Sequence, residues 1–106
     1  MIARHWRGWT KPQAADAYEQ YLKQKVLPGL HSIEGYKGGY ILRRDALHES
    51  EDETEFVVIN FFDSLDAVRR FAGDDHTVPV FEPEAKLYLS RIDAIANHYE
   101  VRAAPA

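Results

Sequence analysis

Four side chains in this sequence are of types that do chemistry, and each sits in a stretch that reads as a strand: Arg4, Trp6, Asn60 and His98. Arg4 and Trp6 are two apart, so on an extended strand they share a face. A guanidinium there could hold an enolate or phenolate, and an indole beside it could stack on an aromatic ligand. The structural alternative is an arginine paired with a local carboxylate and a tryptophan in the core. Asn60 is the lone amide in the apolar run Phe56 to Phe62. A buried amide without a partner costs about 1–3 kcal/mol. Asn60 therefore either orients a substrate oxygen or bonds to neighbouring backbone or side chain. His98 could act as a general base near neutral pH, or could be a satisfied core or interface histidine. Phe62, Tyr36 and Tyr40 complete the candidate set as substrate-binding aromatics. The two tyrosines would close the pocket rim or pack at a dimer seam.

Other chemistries have less behind them. His76 lies beside Asp74 and Asp75, but no HxH or HxxxH spacing supports a metal site, and none is expected. His5, His31 and His48 read as surface or edge residues. There is no glycine-rich phosphate loop, nucleophile elbow or catalytic carboxylate pair. The 106 residues carry no cysteine, which excludes disulfides and thiolate chemistry. A net charge of −4 gives nucleic-acid binding no electrostatic support. The N-terminal MIARHWRGW lacks the apolar core of a signal peptide, and no apolar run is long enough to span a bilayer, so a cytoplasmic location without membrane contact is expected.

The stretch that must position these residues is Glu55 to Gly73. Phe56 to Phe62 reads as a strand buried on both faces. Asp63 or Ser64 caps a helix in which Leu65, Val68, Phe71 and Ala72 recur at helical spacing, and Gly73 stops it. Upstream, Ile2 to Trp9 is a first strand. Thr10 and Gln13 have capping-box spacing, and Pro12 suits a first turn. The predicted helix runs from Pro12 to about Leu27, with Pro28-Gly29 ending it. Tyr36 to Arg44 is a second strand, whose Gly38-Gly39 marks a bulge or a close approach. His48 to Glu55 is a solvated, acidic hairpin loop. Glu84 to Leu89 forms a short helix, and Ala94 to Arg102 is the last strand. The order βαββαβ is the ferredoxin-like α+β pattern, with a four-stranded antiparallel sheet and both helices on one face. One domain over 1–102 is expected, with 103–106 a disordered tail. The aromatic share of 12% exceeds what one helix-covered face can hide, so a homodimer through the other face is expected.

With those elements in place the chain resembles the antibiotic biosynthesis monooxygenase family of the dimeric α/β barrel superfamily. The motifs are IARHWRGWT, GYKGGYILRR, VINFFDSLDAVRRFAG and HYEV. The resemblance implies a dimer with a pocket on the sheet face. It also implies a cofactor-independent oxidation of a small aromatic or polyketide-like molecule by molecular oxygen. Other members hold small molecules or respond to stress without a known reaction. The haem-degrading branch uses an asparagine on the first strand, a tryptophan on the helix after the third strand, and a histidine beyond it. Here the first strand has no asparagine, Phe71 stands where the tryptophan would be, and His76 lies near the histidine.

Alternation then sets the expected geometry. The unbroken apolar set Val57, Ile59 and Phe61 should meet the helices. Phe56, Val58, Asn60 and Phe62 should face a cavity on the opposite side of the sheet. Ala3, Tyr99 and Val101 suit the helix side, which turns Arg4, Trp6 and His98 toward that same cavity.

Overall fold

A computed structural model describes residues 1–45 and 52–105; expectations that fall on 46–51 and 106, His48 among them, lie outside the described residues. Strand β1 (Ile2–Thr10) leads into a long helical stretch, and β2 (Tyr36–Arg44) and β3 (Thr54–Phe62) follow. Helix α3 (Leu65–Ala72), a 3₁₀ turn (Pro83–Leu87), β4 (Leu89–Ile92) and β5 (Asn97–Glu100) complete the chain. The sheet is antiparallel in the order β2-β3-β1-β4, and β5 also pairs with β1. This is the ferredoxin-like α+β fold.

The fourth sheet position is shared by two short strands rather than filled by one. β4 pairs with Gly8–Thr10 and β5 with Ile2–His5. The expected strand from Ala94 to Arg102 starts late, because the chain leaves the ladder at Asp93. That residue's carboxylate takes two bonds from Arg7, at 2.8 and 3.1 Å. Its N–H donates to the Arg7 carbonyl at 2.9 Å.

The first helical stretch runs past Pro28. It starts as a 3₁₀ turn at Pro12–Ala14, becomes α1 (Ala15–Tyr21), widens to a π turn at Leu22–Val26, and ends as α2 (Leu27–Leu30). Pro28 has no N–H to offer the preceding turn. The wider turn absorbs this, with the Leu27 N–H reaching back to the Leu22 carbonyl. The expected capping box at Thr10 is absent. Thr10 is the last, buried residue of β1, and Lys11 stands at the cap with no side-chain bond to the helix's N–H groups. The other helix matches its expectation, and Ser64 accepts from the Ala67 N–H at 3.2 Å.

The sheet's orientation is the reverse of the expected one. Phe56, Val58, Asn60 and Phe62 face the helices. Phe56 meets Tyr18 edge-on at 5.0 Å between ring centroids, and Phe62 packs against Ala67 and Val68 of α3. The large rings fill the space under the helices, whereas Val57, Ile59 and Phe61 are only half-buried on the open face. Strand pairing carries Arg4 and His98 to the helix side as well, since Arg4 pairs with both Asn60 and His98. Ala3 and Tyr99 therefore turn outward. A polar amide can lie in the helix layer because the helices do not close flush on the sheet there.

Candidate functional site between sheet and helices

The gap left by that imperfect closure is a cleft with two parts. Its outer part, of about 620 Å³, is lined by Tyr21, Val26, Leu30, Phe71, Val80 and Phe81, among others. A Lys25–Glu84 ion pair of 2.7 Å lies at its edge. Its inner part is a chamber of about 60 Å³ whose sheet-side floor is Arg4, Trp6, Val58 and Asn60. Tyr21, Val26, Leu30, Phe71, Val80 and Phe81 border both parts, so the chamber opens into the cleft.

Arg4 is the unusual group. It is 4% exposed and has no carboxylate partner among the described residues. Its Nη1 donates to the His76 carbonyl and lies 3.0 Å from His98 Nε2, and its Nη2 donates to the Val78 carbonyl at 3.0 Å. Phe71 covers the guanidinium, 5.4 Å from its ring centroid. Burial lowers its pKa to about 10, so it stays cationic at neutral pH. A guanidinium has five N–H donors. These bonds occupy the Nη1 side and one Nη2 hydrogen, and Nε–H has no partner among the described residues.

His98 accepts from Arg4 at Nε2, so its proton sits on Nδ1. Burial, then Arg4, then His76 lower its pKa to about 4. The His76 ring meets it edge-on at 4.7 Å. The imidazole is therefore neutral at physiological pH. The unfolded value is about 6.5. Between these two values the unfolded chain binds more protons, so stability rises with pH across that window. Acidifying from about pH 6.5 toward pH 4 should lower the melting temperature. His98→Gln keeps an acceptor for Arg4 but does not titrate. Its melting profile should be flatter over that range, and an unchanged profile would contradict the assignment.

Asn60 is 5% exposed, and its Oδ1 accepts from the Tyr36 hydroxyl at 3.0 Å. Trp6 donates its indole N–H to the Asp93 carbonyl at 3.0 Å and tilts against Phe81. The structure thus gathers Arg4, Trp6, Asn60 and His98 on one side of the sheet, with Tyr36 behind Asn60. It does not bring in Phe62 or Tyr40. Phe62 is fully buried under α3, between Tyr36 and Phe71. Tyr40 is 64% exposed and packs edge-on against Phe61 of the open face. The separation of the two tyrosines comes from a bulge. Tyr36 pairs with Phe62 and Gly38 with Phe61, so one extra residue reverses the alternation between them.

Several wall residues were not legible as such. Tyr21 and Val26 belong to an ordinary amphipathic stripe, and Phe71 to another. The carbonyls of His76 and Val78 leave no sequence signal. Nowhere among the described residues do three or more His, Asp or Glu side chains gather as metal ligands. No helix among them is long and apolar enough to cross a membrane.

Solved structures share this architecture. A Nitrosomonas europaea protein of unknown function is 18% identical and superposes with a TM-score of 0.71, over 99% of this chain and 92% of that one. A Pseudomonas aeruginosa protein is 18% identical, with a TM-score of 0.63 over 96% of this chain and 94% of that one. A Mycobacterium tuberculosis haem-degrader, solved with two haems in its active site, is 14% identical, with a TM-score of 0.66 over 100% of both chains. At these identities the likeness is one of fold. None of the curated proteins matches the chain. The family model for antibiotic biosynthesis monooxygenase matches residues 1–78, a span that holds β1, the helices, β2, β3, Arg4 and Asn60, and the chain belongs to that family.

Proposed function

We propose that the cleft binds a small aromatic or polyketide-like molecule as its enolate or phenolate, the oxyanion seated in the inner chamber and the rest in the outer part, and that the protein promotes its oxidation by molecular oxygen without a cofactor. The observation that carries this reading is Arg4: a buried cation with no carboxylate beside it among the described residues, set in the floor of a mostly apolar chamber. Burying an unpaired charge is costly. A bound oxyanion would supply the missing partner. Trp6 and Phe71 offer aromatic walls, and Asn60 a second donor. Such a substrate can supply every electron itself. A CH₂ group and O₂ give C=O and H₂O, one oxygen atom entering the product and the other leaving as water.

In this reading Arg4 stabilises the anion and thereby lowers the substrate's own pKa. His98 holds Arg4 in place and keeps a neutral ring beside it. With its Nε2 lone pair turned to Arg4, His98 is better suited to that role than to being the base. The apolar walls exclude water from the reacting carbon.

The alternative is a protein that holds such a molecule without turnover. Oxygen uptake over the uncatalysed background, with a panel of hydroxynaphthalenes and hydroxyquinols and no added metal or flavin, separates the two. Uptake that saturates with substrate supports the enzyme. Saturable binding without uptake supports the binding module.

The assembly belongs to the same proposal. Tyr40, Leu42 and Tyr99 are 64%, 48% and 56% exposed on the open sheet face. A second copy packed there would cover them. A cytoplasmic location belongs to the same proposal. Light scattering at micromolar concentration should give twice the chain mass, and a stable monomer would contradict the assembly.

A further inference from the structure

We propose that Tyr36 is a positioning residue that makes the chamber floor a donor-only surface. The ligand is then a flat apolar molecule bearing two adjacent acceptor oxygens, as in a carboxylate or the enolate of a 1,3-dicarbonyl. This rests on the reading above and narrows it.

An asparagine offers a donor at one end and an acceptor at the other. Which end faces a cavity decides what the cavity binds. The Tyr36 hydroxyl donates to Asn60 Oδ1 at 3.0 Å, so the carbonyl end points away along the sheet and the NH₂ is left for the chamber. Two features of the second strand build this arrangement. The bulge, with Gly38 at φ +107, turns Tyr36 to the helix side of the sheet. Gly39 pairs directly with Asn60. A Cβ there would collide with Asn60 Oδ1, and would lie 2.6 Å from the Ile59 carbonyl and 3.0 Å from the Tyr36 hydroxyl. Gly38 and Gly39 thus have separate tasks: one reverses the strand's alternation and the other makes room for the amide.

Arg4 pairs with Asn60 from the opposite strand. Its Nε–H and the Asn60 NH₂ therefore belong to side chains directly across from one another, about 5 Å apart at Cβ. Nearby, the His98 Nε2 acceptor is turned to Arg4, and the Tyr21 hydroxyl, without a partner among the described residues, belongs to the helix wall and not to the floor. Such a floor matches two acceptor oxygens and offers nothing to a ligand that must donate.

The test compares 2-naphthoate with 2-naphthalenemethanol, which keeps the ring and replaces the carboxylate with a hydroxymethyl group. Both are titrated calorimetrically into wild type and Tyr36→Phe at pH 7.5. Wild type should prefer the acid by at least about tenfold. Tyr36→Phe frees the amide to turn, so it should weaken the acid about five- to tenfold and leave the alcohol within about twofold. In a double-mutant cycle with Asn60→Ala, Tyr36→Phe should have no further effect on the acid. Equal weakening of both ligands, unchanged acid affinity, or a persisting Tyr36 effect without the amide would each overturn the proposal while leaving the anion site standing. Failure of wild type to bind the acid would remove the anion site and this proposal with it.

Discussion

Arg4→Met should weaken binding of 2-naphthoate by about a hundredfold and lower stability by about 2 kcal/mol. The affinity loss follows from removing the one buried cation of the chamber. Charge-assisted bonds are about twice as strong as neutral ones, and a factor of ten corresponds to about 1.4 kcal/mol. The stability loss has a separate origin. Arg4 bonds the carbonyls of His76 and Val78, and so ties the segment before the 3₁₀ turn to the sheet. Each carbonyl left unpaired costs about 1–3 kcal/mol, offset in part because the variant no longer buries an uncompensated charge. Urea denaturation measures the second effect and titration the first. Unchanged values in both would contradict the account of Arg4.

Phe62→Ala should cost about 3–5 kcal/mol, enough to unfold much of a domain this size at physiological temperature. Phe62 is fully buried beneath Ala67 and Val68, with Tyr36 edge-on at 5.6 Å and Phe71 stacked at 6.1 Å. Loss of the ring leaves a cavity that the short helix α3 cannot collapse to fill. Phe62→Leu, which keeps most of the volume, should retain the fold and the affinity for 2-naphthoate. A ligand contact at Phe62 would instead show as weakened binding by a stably folded Phe62→Leu protein.

How much of this was legible in the sequence depends on the kind of signal. Element types and order followed from periodicity: the β3 run, the Ser64 cap and the α3 stripe all appear where the pattern puts them. Facing did not follow. Alternation divides Phe56, Val58, Asn60 and Phe62 from Val57, Ile59 and Phe61, but period two alone does not say which set is inside. The amide misled, because an unbroken apolar set looks like the better helix-packed face. The protein instead leaves a chamber between its layers and lets Tyr36 satisfy the amide there. The grouping of Arg4, Trp6, Asn60 and His98 survived this reversal. It depends on relative register, and all four change faces together. Tyr40 did not stay with Tyr36, because a one-residue bulge at Gly38 is invisible to an i, i+4 count. The split of the last strand at Asp93 depends on a bidentate bond from Arg7, 86 positions away in the chain.

The central claim is that an anionic aromatic seats against Arg4 between the sheet and the helices. Nuclear magnetic resonance of ¹⁵N-labelled wild type, titrated with 2-naphthoate at neutral pH, tests it most directly. Saturable shifts should appear together at the Arg4 Nε–H, the Asn60 side-chain NH₂ and the Trp6 indole N–H, and should be absent in Arg4→Met. Shifts confined to Tyr40, Leu42 and Tyr99 on the open face, or none that saturate, would contradict it.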